Sequence, residues 1–299
     1  MLHEDCQQDR SASVTVLPKW AAPILLCLLL GGLLVLTPGG VLRKADLLGY
    51  AVCHQIESHS FTLAGRQLPL CARCTGTFLG ALVGLFGQAV VLRRRRASAL
   101  PPAPVLVALV AFSLLWAGDG LNSYLRLAGA PHLYRPHNQL RLVTGALNGL
   151  TMSALIYPVF NVSVWCNPVD EPSIRTPRDL APLVLLEGAL VATVLSGRDF
   201  LLYPLALLSG IAVLTLLSSV NTVIAVVVLG RENSAEGWRE AVVPVVVGVL
   251  FSLIQITAID LVRYSLTGTL DGIPSLDEDL RARASRDIVN DDHRPAQRS

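Results

Sequence analysis

The sequence predicts an all-α fold: a polytopic transmembrane helix bundle of about seven spans, with six to eight as the range. Two observations carry this. Hydrophobic residues fill 52% of the 299 positions and charged residues only 15%, with a mean hydropathy of +0.54. A soluble domain carries nearer a quarter charged residues, so lipid is the solvent this chain is built for. The apolar residues also cluster into runs of bilayer-crossing length, about 20 residues each. Backbone polar groups cannot stay unpaired in hydrocarbon, so helix is the expected state of every run.

In chain order the runs fall at 20–37, 75–92, 103–118, 142–160, 180–196, 200–229 and 241–262. The first is long for a signal peptide and no A-x-A-like site follows it, so it is read as a span. The sixth is long for one span and short for a hairpin of two. The organisation that results is a polar segment at 1–18, a transmembrane module at 19–160 and a loop at 161–179. C-terminal helices follow at 180–263, then a tail at 264–299 that alternates acids with Arg and is expected to be disordered.

The net charge of +2 and the absence of a basic patch interleaved with aromatics argue against a nucleic-acid partner, leaving the lipid bilayer as the one the sequence implies. No Walker-type loop, H-E-x-x-H pair or G-x-S-x-G elbow is present, so NTP hydrolysis and the common hydrolase chemistries lack support. Whether the chain is an enzyme is left open by the sequence. Orientation rests on Arg93, Arg94, Arg95 and Arg96, in a short loop between the second and third runs. The positive-inside rule places that loop in the cytoplasm and the opposite face outside it. In either orientation the second and third runs form a hairpin with the arginines at its tip. The loops before and after that hairpin, 37–74 and 119–141, therefore share one face.

Those two loops hold nearly all the chemistry. The first reads Cys53-His54-Gln55, then His59-Ser60-Phe61, then Pro69-Leu70-Cys71-Ala72-Arg73-Cys74. Zinc and similar ions take four tetrahedral ligands, chiefly thiolate and imidazole. Cys71 and Cys74 have the C-x-x-C spacing that brings two sulfurs to one ion, Cys53 supplies a third, and His54 or His59 the fourth. Zinc or iron is the cofactor such a set would hold. A redox reading competes: Cys71 and Cys74 sit at a helix start, where the helix dipole and Arg73 favour thiolate. Gly76, Gly80 and Gly84 form a small-residue stripe on the same helix, and Gly145 and Gly149 repeat the spacing further on; close helix packing is the expected reason.

In the second loop the third span is expected to end near Gly118, which puts Asp119 at a helix C-terminus, where a carboxylate opposes the macrodipole. Asp119 would orient a ligand or bind a cation; the plain reading is an Asp-Gly turn. Arg141 would pair with Asp119 or bind an anionic group, and His132 and His137 read as solvated loop residues.

The run Cys53-His54-Gln55, Ser60-Phe61, Gly65, Pro69-Leu70-Cys71-Ala72-Arg73-Cys74-Thr75-Gly76, Asp119-Gly120, Asn138, Arg141 and Thr144-Gly145 resembles the domain of unknown function 2085, a family of prokaryotic membrane proteins with no settled activity. The likeness covers residues 49–157, about a third of the chain. It implies membrane location and a shared site at Cys53, His54, Cys71, Cys74, Asp119 and Arg141. The family tends to show Arg where this chain has His59, which weakens His59 as a general ligand.

Outside that module Glu187 lies within the fifth span, where a carboxyl is costly enough to be a functional candidate. Asp260 and Arg263, one turn apart, are expected to pair. The leading function is a metal-binding membrane protein using Cys53, His54, Cys71 and Cys74, with Asp119, Arg141, His59 and Asn138 as supporting or substrate-facing groups. The alternatives are a membrane thiol–disulfide oxidoreductase using Cys71 and Cys74, and a transporter using Glu187.

Overall fold

The computed structural model describes residues 39–271, together with residues 24, 27, 28, 31, 32 and 35. The expected first span at 20–37 lies largely outside the described residues, and the segments 1–18 and 272–299 lie wholly outside them.

The chain is all-α in its body. A short helix α1 (Val41–Tyr50) leads into a β-hairpin of β1 (Ser60–Leu63) and β2 (Arg66–Cys71). Ala64 and Gly65 make its turn, both at positive φ (49° and 72°), the pairing a two-residue hairpin of native twist requires. This hairpin corrects the expectation of plain loop at 37–74. Period-two patterning is weak in so short a segment, and the turn uses Ala64 where Asn or Gly would have signalled it.

β2 runs directly into α2 (Ala72–Phe86), which continues through a single π-helical turn to Val91. After a short strand β3 (Ala97–Ala99) come α3 (Ala103–Leu127) and α4 (Asn138–Val164). Strand β4 (Val169–Pro172) pairs in parallel with β3 and precedes α5 (Pro177–Leu195). The chain then forms α6 (Leu202–Val228), entered through one 3-10 turn, and α7 (Trp238–Thr267). The sixth apolar run is thus one continuous helix.

Among the described residues, five helical stretches are long and apolar enough to cross a membrane: Ala72–Val91, Ala103–Leu127, Asn138–Val164, Asp199–Val228 and Trp238–Thr267. The fifth expected span, α5, carries Arg178, Asp179 and Glu187, which lower its apolar character. Its two ends nevertheless reach opposite faces. Asp179 at its start pairs with Arg94 at 2.9 Å, in the arginine loop. Just past its end, Asp199 accepts the Ala64 N–H of the hairpin at 2.7 Å.

The arginine face gathers the loops at 92–102, 165–176 and 229–237: Val169 N–H donates to the Arg96 carbonyl at 2.8 Å and Cys166 N–H to the Ala235 carbonyl at 2.9 Å. Cys166 is therefore remote from the other loop cysteines, as expected. The opposite face gathers α1, the hairpin, the α3–α4 loop and the end of α7.

The α2–α4 seam sets the position of the site. A Cβ on Gly76 would collide with the Leu142 carbonyl, on Gly145 with the Arg73 carbonyl, and on Gly149 with the Thr77 carbonyl. The two small-residue stripes face each other, so the helices meet backbone to backbone, a packing driven in lipid by van der Waals contact. Arg73 and Arg141, at the same end of the seam, are brought to one place by it.

Candidate metal centre

Three sulfurs converge where β2 becomes α2. Cys71 is the N-cap of α2 and Cys74 lies in its first turn, so both point their thiols at the helix start. Cys53 returns from beyond α1 and is buried against Leu70 and Val213. The Sγ atoms of Cys53, Cys71 and Cys74 all lie within 4.8 Å of one another, and all three are free thiols.

The loop that delivers Cys53 is fixed by its neighbours. Gln55, the third residue of the Cys-His-Gln run, takes a positive φ of 52° and donates through Nε2 to the Asp46 and Pro69 carbonyls, both at 2.8 Å. Gln67 Nε2 donates to the Gln55 carbonyl at 2.9 Å. From α7, Arg263 donates to the carbonyls of Tyr50 and Cys53 and stacks on the Tyr50 ring, its Cζ 3.8 Å from the centroid. Arg263 makes no hydrogen bond to Asp260, against expectation: the carbonyls at the end of α1 offer it converging acceptors, and Asp260 Oδ1 has no hydrogen-bond partner among the described residues.

Cys53 Sγ accepts the backbone N–H groups of Cys71 at 3.2 Å and Gln55 at 3.4 Å. A hydrogen bond from the Cys53 thiol, with a second from Cys74, holds Cys71 well below the ordinary thiol range, and the α2 start favours the same anion. Cys53 is pushed up to about 12, chiefly by that same bond to Cys71 and then by burial. The cluster therefore carries its first negative charge on Cys71.

Around the sulfurs sits a charged frame. Asp119 pairs with Arg73, and its other oxygen accepts the Tyr134 hydroxyl at 2.8 Å. Arg73 also reaches Ser123 Oγ at 3.1 Å. Two expectations are corrected here. The partner of Asp119 is Arg73, whose guanidinium reaches across from the start of α2 to Asp119 and Ser123 on α3. Asp119-Gly120 is no turn: α3 runs on to Leu127, and a Cβ on Gly120 would stand in ordinary contact with Arg73, 3.8 Å from Nη1.

Arg141, 5% exposed, donates to Asn138 Oδ1 at 2.7 Å, and its Nε has no partner among the described residues. Asn138 in turn donates to the carbonyls of Ser58 and Ser60 at 3.2 and 3.3 Å, tying the start of α4 to the hairpin. His59 is half-buried beside this group; burial, then the nearby Arg141 charge, lowers it to about 4, so its ring is neutral.

The structure brings together Cys53, Cys71 and Cys74 and surrounds them with His59, Asn138, Arg141 and the Arg73–Asp119 pair. It does not bring in His54, which is exposed and outside the sulfur group. Consecutive residues point apart, and Cys53 is the one turned inward. Glu187 is remote from the sulfurs, deep in the bundle. Arg73, Tyr134, Asn122 and Gln55 belong to the frame and were not singled out as site residues. Asn122 fixes the α3–α4 loop by accepting Leu133 N–H at 2.7 Å and donating to the Tyr134 carbonyl at 2.9 Å. Only Arg73 and Gln55 carried a signal, each lying inside a cysteine motif.

Comparison with other proteins matches the part of the chain that holds the sulfurs. Residues 53–155 match the family described as Predicted membrane protein (DUF2085). The matched segment opens on Cys53 and closes within α4, so it contains the three sulfurs, Arg73, Asp119 and Arg141 and ends before α5. An uncharacterized protein of Methanocaldococcus jannaschii is 28% identical over 109 residues, which is 36% of this chain. The matched stretch spans 64% of that relative's length. No solved structure matches the chain.

Proposed function

We propose that this membrane protein binds one thiophilic metal ion, zinc or iron, at its membrane face, with Cys53, Cys71 and Cys74 as thiolate ligands. The convergence of the three sulfurs within 4.8 Å carries this reading. Sulfurs bound tetrahedrally at about 2.3 Å from zinc stand about 3.7 Å apart, so a small inward adjustment closes the three on one ion. The N–H groups aimed at Cys53 suit a sulfur that bears negative charge. Three thiolates on a divalent ion leave one net negative charge, and the buried Arg141 guanidinium is the cation beside them that offsets it.

The fourth position falls to a ligand arriving from outside, water or a substrate, unless His54 turns inward on metal binding. An open position is what separates a catalytic from a closed structural site. Asp119 and Asn138 hold Arg73 and Arg141 in place around it. By the positive-inside rule the arginine loop is cytoplasmic and this metal face lies outside the cytoplasm.

Elemental analysis of the detergent-purified protein, made without chelators, tests the reading. About one equivalent of metal in wild type, lost in a Cys71→Ser, Cys74→Ser double variant, is the expected result. Metal-free wild type with its thiols oxidised would overturn it. That outcome would favour thiol–disulfide exchange, for which the lowered Cys71 is the supporting observation. In that reaction the Cys71 thiolate attacks a substrate disulfide, releasing one substrate thiolate, and Cys74 resolves the mixed disulfide, releasing the other. Metal retained in His54→Ala would assign the fourth position to an external ligand.

A further inference from the structure

Away from the sulfurs, the bundle interior holds Glu187 of α5, 2% exposed. Neither carboxyl oxygen has a hydrogen-bond partner, and no charged side chain among the described residues acts on it. It lies where α5 crosses the α2–α4 seam: a Cβ on Gly80 would stand 2.9 Å from Glu187 Oε2 and 2.7 Å from the Ala146 carbonyl oxygen. An ionised carboxylate there would have neither donor nor counter-ion, a state that low-dielectric surroundings penalise heavily. A metal cation is no better served. Sodium- or calcium-like ions need about six oxygens, and glycine and alanine line this spot. A proton alone is satisfied by a single carboxyl group.

A row of fully buried polar groups leads from this region to the arginine face. Ser153 fills the space over Gly84, one turn along α2 from Gly80. Gln88 Nε2 donates to Ser153 Oγ at 3.4 Å and to the Gly84 carbonyl at 3.1 Å. Ser173 Oγ donates to Gln88 Oε1 at 2.6 Å. Ser153, Gln88 and Ser173 are all 0% exposed. Arg94 closes the row at the loop, donating to the Ser173 carbonyl at 2.7 Å while it pairs with Asp179. The row stops one helical turn, about 5.4 Å along α2, short of the carboxyl. Gly80 and Gly84 leave no side chain on α2 to block that step.

We infer that Glu187 is a proton-binding site in the membrane interior, loaded from the arginine face along Ser173, Gln88 and Ser153. Binding adds one proton to one carboxylate oxygen and release returns it along the same row. The site is independent of the metal reading, and its test does not depend on metal content.

Infrared spectroscopy of the full-length protein in lipid vesicles reads it directly. Wild type is expected to show a protonated-carboxyl stretch at neutral pH that is missing in Glu187→Gln. Transfer into heavy water is expected to shift that band. Gln88→Leu, which removes the middle of the row and leaves the carboxyl intact, is expected to slow the shift at least tenfold. Ser173→Ala, a smaller change at the loop end, is expected to slow it as well. A spectrum in which Glu187→Gln removes no such band overturns the proton site. A shift as fast in both row variants as in wild type overturns the route.

Discussion

Asp119 keeps 2% of its side chain exposed and places Arg73 on one oxygen and the Tyr134 hydroxyl on the other. Removing one member of a buried pair leaves its partner uncompensated and costs about 3–5 kcal/mol. Asp119→Asn, which keeps an acceptor for Tyr134 but removes the charge facing Arg73, is therefore expected to lower the melting temperature in detergent, and Asp119→Ala, which removes the acceptor as well, to lower it further. An Asp119→Asn protein as stable as wild type would mean the charge on Asp119 is irrelevant. His59 gives a pH dependence. Its ordinary value is 6.5 and burial lowers it to about 4 in the fold, so between those values the unfolded chain binds a proton that the native chain does not. Stability is then expected to fall as pH drops from about 6.5 to about 4 and to be insensitive to His59 outside that window. Melting curves of wild type and His59→Gln across pH 4–7 check the sign: the variant should lack that part of the fall.

At the level of elements, the α2–α4 seam is the contact on which the site depends, because Arg73 and Arg141 sit at its end and Cys74 on its α2 strand of contacts. A methyl on Gly149 would meet Ala81 N at 2.6 Å, backbone that cannot swing aside, whereas one on Gly188 of α5 would meet nothing within 4 Å. Overpacking of this kind costs about 1–3 kcal/mol. Gly149→Ala is expected to lower the melting temperature and weaken metal retention together, and Gly188→Ala to change neither. A Gly149→Ala protein as stable as wild type would show that the helices can part without cost. The hairpin is the element least legible beforehand. Its strands are four and six residues long, and its Ala64-Gly65 turn depends on a left-handed alanine that propensity does not favour.

For the whole molecule the testable quantity is sidedness. The two faces are held apart by α2 to α7, with the arginine run, β3 and β4 on one and the sulfurs on the other. Reporter fusions in the arginine loop and in the α3–α4 loop should give opposite signals, with the arginine loop cytoplasmic. Like signals from the two would break the hairpin of α2 and α3 that places both functional loops on one face. The opposite assignment would put the sulfurs in a reducing compartment, which disfavours disulfide chemistry there and leaves metal binding as the use of the thiols.

By itself the sequence determined what lipid and covalent spacing enforce. Apolar runs of bilayer length must be helices, the hairpin of spans two and three must join its flanking loops on one face, and C-x-x-C at a helix start must bring Cys71 beside Cys74. The facing glycine stripes were legible for the same reason, since close approach in lipid demands them. Only the tertiary structure decided which of several reachable partners each group takes. Asp119 could meet Arg73 or Arg141, and in the fold it takes Arg73. Arg263 could meet Asp260, yet two carbonyls at the end of α1 hold it. Cys53 and His54 could face one ion together only through a tight turn, and in the fold Cys53 is turned in while His54 stays exposed. Spacing along a chain limits what can meet. The choice among those contacts is made by packing from helices far apart in sequence, which no local pattern encodes.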